Sequence, residues 1–289
     1  MKITLLIVIC FYIYEANAKT IDCTKGFYAI PEEDRKELEL FFHDLIKESQ
    51  FGYTIFSDKP VSIKGYFVTT PFGNLIAKNK VNNTKKLWEK WRYYSHLFPM
   101  NKYLLFDEPT SHDNLGIITL INIRAFIEKF NQHTHLFKDR LGKEVTADSL
   151  IERLRASETQ GLYKILNEDE ELYGILLGYR KASASTFKRF FELDSYLNPL
   201  SQREFSMKWP KPSNGFGSLK EEYHFLRKQF IEPQSGHMLA FIQPVCFMAV
   251  QTDLETELLL KKYKKDKRKI SKIYGNKGFM RTSLEKLCQ

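Results

Sequence analysis

Apolar residues along this 289-residue chain recur at helical spacing more often than they alternate. Over residues 31–49, Leu38, Phe41, Phe42 and Leu45 follow the i, i+3, i+4, i+7 rule and predict one buried helical face. Pro31 suits the first turn of that helix, and Glu32, Glu33 and Asp34 complement its positive end. Residues 52–68 read as strand, turn, strand, with the β-formers Tyr53, Ile55, Val61, Ile63, Tyr66 and Val68 around Asp58-Lys59-Pro60. That turn is rigid, and its charges are expected near the surface. Thr84 can cap a helix over 84–96 that turns Leu87, Trp91 and Tyr94 to one side. Residues 102–106 form a short strand, and 115–130 a helix apolar on more than one side and therefore central.

Thr146 opens a helix over 147–155, and two more follow over 168–178 and 184–193. Pro210, Pro212, Asn214 and Gly215 make 208–217 a loop before a helix over 219–230. Residues 237–250 are apolar but contain Pro244, which fits an edge strand or a strand broken in two. Thr252-Asp253-Leu254-Glu255 forms a capping box for a long helix over 253–274, and Gly275 stops it. Helices outnumber strands about two to one in this reading. The fold expected is α+β, a helix-rich single domain with a small sheet or hairpin and a long basic helix near the C-terminus.

The first residues have a different grammar. Met1-Lys2 is a basic start, residues 3–14 are apolar, and Ala16-Asn17-Ala18 is a small-x-small cleavage site, the tripartite pattern of a secretory signal. The apolar run is shorter than the about 20 residues that span a bilayer. Ile9 stands before Cys10 where a lipoprotein signal wants a small residue. Cleavage after Ala18 is expected, leaving residues 19–289 as one globular domain in the envelope or secreted space. Later apolar runs, such as 115–123, are interrupted by Thr119 and Asn122, so no membrane-spanning segment is expected in the mature chain. Of the cysteines, Cys23, Cys246 and Cys288 remain after cleavage, which allows three pairings with one thiol left over. A Cys23–Cys288 bridge would tie down both ends, whereas Cys246 lies in an apolar run.

Composition changes two things. With 23 Phe and 15 Tyr, the core is expected to rest on aromatics. The net charge of +9 is mostly local, because residues 261–272 hold eight Lys or Arg and one Asp. On the helix over 253–274 those cations, Lys261, Lys262, Lys264, Lys265, Lys267, Arg268, Lys269 and Lys272, surround an apolar stripe of Leu259, Tyr263, Ile270 and Tyr274. Such a helix can sit solvated on its stripe, or present its cations to an anionic membrane or an acidic protein. Nucleic acid is the weaker partner, since no base-reading motif accompanies the cations.

Catalytic motifs fare worse. The string Tyr-Leu-Leu-Phe-Asp-Glu-Pro-Thr-Ser at 103–111 resembles the Walker B and D-loop stretch of ABC-transporter ATPases. No G-x-x-x-x-G-K-[ST] loop precedes it to hold phosphates, so a buried strand ending in an acidic turn is expected. His133 and His135, or His112-Asp113, lack the third and fourth ligands that zinc needs. G-x-S-x-G is absent, and Cys246 near His237 sits in an apolar setting that quiets a thiol. The sequon Asn82-Asn83-Thr84 matters only in a eukaryotic source. No catalytic, metal or cofactor residue is assigned.

Two strings carry a resemblance. Gly-Tyr-Thr-Ile-Phe-Ser-Asp-Lys-Pro-Val at 52–61 and Leu-Tyr-Gly-Ile-Leu-Leu-Gly-Tyr at 172–179 resemble a family of exported proteins in Chlamydia-related obligate intracellular bacteria. Its members carry GYTLFGDKP-like and LLGILLGYG-like strings; here Ser57 and Arg180 stand where glycine is expected. The resemblance implies a bacterial envelope or secreted protein and brings no activity with it. Gly174 and Gly178 would let a second element pack closely on their helix. The leading expectation is an exported binding protein that meets a protein or an anionic membrane surface through 261–272. A hydrolase with a site assembled only in three dimensions, and a structural envelope protein cross-linked through Cys288, are the alternatives.

Overall fold

A small antiparallel sheet sorts the apolar side chains into two cores. The computed structural model describes residues 23–67, 75–109, 115–156, 161–197, 210–229, 254–275 and 277–289. The strands β1 (Val61–Phe67), β2 (Tyr103–Pro109) and β3 (Leu115–Asn122) are ordered β1-β3-β2. Register places Ser62 and Leu105 opposite Leu120, and Ile63 and Phe106 opposite Thr119. Because successive residues face opposite sides, Tyr103, Ile118 and Leu120 join one core, while Val61, Ile121, Leu104 and Phe106 join the other.

The first core is aromatic. It is built from α1 (Cys23–Ala29), α2 (Glu32–Lys47), α3 (Phe51–Phe56), α4 (Leu75–Tyr94) with the turn Ser95–Leu97 after it, and two C-terminal helices. Phe41, Phe42, Trp88, Trp91 and Phe98 interlock there, with Phe42 edge-on to Trp91 at 5.1 Å between centroids. The second core is mostly aliphatic, though it buries Phe126, Phe130 and Phe137, and apart from the sheet residues it comes from one stretch of chain. It uses α5 (Ile123–Gln132), α6 (Thr134–Leu141), α7 (Ala147–Ala156), α8 (Leu162–Ile165), α9 (Glu170–Leu176) and the start of α10 (Lys181–Leu197). Helix α11 (Leu219–Gln229) packs on α10, while α12 (Leu254–Tyr274) packs on α3 and α13 (Phe279–Leu287) packs on α2. The fold is therefore α+β, helix-rich, with a small antiparallel sheet and a long basic helix.

Several sequence expectations hold and others need correction. Helix α2 buries Leu38, Phe41, Phe42 and Leu45, the four residues the pattern selected. Residues 52–56, expected as strand, are the helix α3; Phe51 to Ile55 are all buried, so no period marks either structure. The helix expected over 115–130 is instead β3 followed directly by α5. Its central strand is covered on both faces and reads as one apolar run. The helix begins at Asn122, whose side chain accepts a hydrogen bond from the Ala125 amide at 3.2 Å. Thr84 lies inside α4 rather than at its start, β2 runs on to Pro109, and α10 is longer than 184–193. The expectations for 1–18, for 237–250 and for the cap residues Thr252 and Asp253 lie outside the described residues.

Cys23 is bridged to Cys288, closing a span of 265 residues and fastening α1 to the end of α13. Of the three pairings the sequence allowed, this is the one present. Among the described residues no helix is long and apolar enough to cross a membrane.

Candidate binding surface on the basic helix

Helix α12 has three sides, and each has its own neighbours. Glu255 and Glu257 sit in its first turn, and Gly275 ends it with φ +38°. Thr256, Leu259, Tyr263, Ile270 and Tyr274 are buried, which places the predicted stripe against the protein. Tyr263 meets Tyr53 edge-on at 5.6 Å, and Tyr274 meets Phe56 at 5.5 Å and stacks on Phe279 at 5.0 Å. Ile270 lies over Gly52, where an added Cβ would stand 3.0 Å from its Cγ2. The tyrosine hydroxyl at 274 is satisfied by Ser283 at 2.8 Å.

On one flank the helix is tethered. Ser57 donates to Asp266 at 2.5 Å, Lys262 pairs with Asp58, and Lys269 donates to the Phe56 carbonyl at 3.4 Å. Two of the eight predicted contact cations thus have partners at the α3–β1 corner. The remaining six, Lys261, Lys264, Lys265, Lys267, Arg268 and Lys272, take part in no ion pair among the described residues; all are exposed except the half-buried Lys267. Lys261, Lys265, Arg268 and Lys272 are spaced by four, three and four residues, so they form one line opposite the buried stripe. At 1.5 Å per residue that line is about 16 Å long.

Beneath this helix the segments 52–61 and 172–179 meet. Lys59 is buried, with its ammonium donating to the carbonyls of Val61 and, at 2.6 Å, Leu177. Leu177 is the C-cap of α9, so the cation satisfies a helix-end carbonyl and complements the negative end of the dipole. Gly178 follows with φ +95°; a Cβ there would stand 2.8 Å from the Tyr263 hydroxyl and 3.5 Å from Pro60 Cδ. Gly174 serves another neighbour, Ala184 of α10, at 3.1 Å. Of the turn 58–60, Asp58 is exposed as expected, but Lys59 is buried because its long stem reaches back to α9. Burial pushes the Lys59 ammonium down to about 7. It borders a cleft of about 370 Å³ shared with Glu48, Gln50, Lys64 and Tyr179.

A larger cleft, about 930 Å³, follows β2 and is lined by consecutive residues 104–108 together with Tyr66, Trp88, Arg92 and Arg155. Asp107 and Glu108 do not converge there as a metal pair would, since neighbours on a strand face opposite sides. Glu108 is buried; it accepts from the Thr119 hydroxyl and from the backbone N–H groups of Leu162 and Tyr163, while burial pushes its pKa up. The strand therefore continues through residues expected as an acidic turn, and Glu108 anchors the start of α8. Gly161 passes so close that a Cβ would lie 2.3 Å from its Oε2.

His133 sits between α5 and α6, its pKa pushed down first by burial and then by Lys129, Lys181 and Arg180, and His135 is exposed. Among the described residues no group of three His, Cys, Asp or Glu could hold a metal ion. Cys246, His237 and His112 lie outside them. Sequence reasoning missed Glu222, which is buried on α11 and held by two Arg189 nitrogens at 2.8 Å each and by Ser213. That pairing, which draws the Glu222 carboxyl down to about 2, fastens residues 210–217 to α10. Only the fold brings the two charges together. Comparisons with protein-family models, with curated proteins and with solved structures return no match to this chain.

Proposed function

We propose that this chain is an exported binding protein whose contact surface is the outer side of α12. The observation that carries this reading is the line Lys261, Lys265, Arg268 and Lys272, held outward by a buried stripe and without ion-pair partners among the described residues. An i,i+4 acid–base pair stabilises a solvated helix, as Glu32 and Lys36 do on α2 at 2.8 Å. Here the cations are left for something else. Export is supported by the tripartite pattern of residues 1–18 and by the Cys23–Cys288 bridge, since such bridges persist in oxidising compartments. The bacterial envelope origin rests on the resemblance of residues 52–61 and 172–179 alone.

Retention on immobilised heparin, a generic polyanion, tests the surface. Changing Lys261, Lys265, Arg268 and Lys272 to Glu should release the protein at much lower salt than the same change at Lys143, Lys220, Lys228 and Lys277. All four of those control residues are exposed. Equal elution of the two variants would mean that net charge, not this face, does the binding, and the proposal would fall. Fractionation of the native cell with mass spectrometry of the N-terminus tests export: Lys19 as first residue is expected, and an intact Met1 in the cytosol would overturn it.

A further inference from the structure

We infer that the partner of this face is the anionic headgroup layer of a lipid bilayer. The inference rests on the reading of α12 as a contact surface and names what it contacts. Leu254 and Leu258 are 67% and 53% exposed, unusual for large apolar side chains on a helix that already has a full buried stripe. They are not scattered. The sequence 254, 258, 261, 265, 268, 272 advances by four and three residues throughout, so both leucines extend the cationic line toward the start of the helix. The extended line is about 27 Å long. Glu255 is turned aside toward Arg180 at 3.5 Å, and Glu257 lies beside the line one turn before Lys261.

The kind of cation separates the candidate partners. Protein interfaces favour Arg and deplete Lys, and bidentate capture of carboxylates needs the guanidinium fork. This face is built from three Lys and one Arg, and the lysines are flexible point charges suited to a diffuse anionic layer. Two exposed leucines at one end would be wasted on a nucleic acid backbone but can enter the headgroup–acyl boundary. Lysines along a shallow line with apolar residues at its tip therefore fit a charged bilayer surface, with the helix lying on it and the domain above.

The test is flotation of the full oxidised chain with vesicles of phosphatidylcholine alone and of phosphatidylcholine with phosphatidylglycerol. Binding is expected only to the second and should fade with added salt. Each cation removed should weaken it about fivefold. The paired change Leu254→Gln and Leu258→Gln should weaken vesicle binding while leaving heparin retention unchanged. Circular dichroism of this variant should match the parent, because neither leucine is buried. If the parent ignores anionic vesicles yet keeps its face-dependent heparin retention, the lipid inference fails and an acidic macromolecule takes its place. If the leucine variant floats like the parent, the apolar tip is not engaged and the inference likewise fails. Loss of face-dependent retention on heparin itself would overturn the underlying reading of the surface.

Discussion

The two cores differ in how the chain supplies them. The second is nearly contiguous: helices α5 to α9 follow one another over residues 123–176 and close on themselves with Leu150, Leu162, Ile165, Leu172 and Ile175. The first is gathered from both ends of the chain, with α1 to α4 on one side and α12 and α13 on the other. Bringing such distant segments together costs more loop-closure entropy than joining neighbours. The first core answers with larger aromatic side chains and with the Cys23–Cys288 bridge. The candidate contact line rides on this non-local half. Its geometry rests on aromatic contacts to α3 and to Phe279 of α13, while the second core acts as a locally folded support.

That contrast is most exposed to loss of the bridge. Replacing Cys23 and Cys288 together by Ser should lower stability by about 2–5 kcal/mol. Hydrogen exchange should then show faster opening in α1 and α13, with α5 to α9 keeping their protection. Equal acceleration in both halves would mean that the sheet couples them into one cooperative unit, and the division into two cores would have no energetic content.

Lys59 gives the next largest effect and a sign that can be worked out. In the fold burial pushes its ammonium down to about 7, from 10.5. Between those values the unfolded chain binds a proton that the folded chain has released, so stability rises with pH across that window. Below about 7 both states are protonated and the contribution is flat at its least favourable. Near pH 10 the rise meets an opposing effect. Burial raises the pKa of Tyr173, Tyr263 and Tyr274, so these hydroxyls keep protons that the unfolded chain loses. Urea unfolding between about pH 7 and pH 9 should show a gain on the order of 1–3 kcal/mol, absent in Lys59→Met. A flat parent profile would place the ammonium's pKa in the fold near its ordinary value, held there by the two carbonyls.

How much of this was legible in the residues depended on whether a side chain had one face or all faces covered. Helices α2 and α12 each bury a single stripe, so their periodicity named the buried residues correctly. Helix α3 and strand β3 are covered nearly all round and lose their period, which is why one read as strand and the other as helix. The eight cations were visible as a cluster. That Lys262 and Lys269 are tied down was not, because Asp58 and Phe56 lie 204 and 213 positions away. Lys59 misled for a similar reason: turn chemistry and charge place it outside, and its acceptor at Leu177 is 118 residues distant.

Gly178 offers the finest probe of the comparison, because it stands where the halves touch. It ends the α9 segment of the second core, yet faces Tyr263 of α12 and Pro60 beside β1. Its φ of +95° is strained for any residue with a Cβ, and the Tyr263 hydroxyl would have to yield from 2.8 Å. Gly178→Ala should therefore cost about 1–3 kcal/mol. Where the strain is released distinguishes two pictures. If the seam is soft, Tyr263 and α12 shift together, and heparin retention falls along with stability although no cation was altered. If the seam is rigid, the whole cost appears in unfolding midpoints and retention is unchanged. The first result would make the contact line adjustable from the second core. The second would leave that line set by its contacts to α3 and α13.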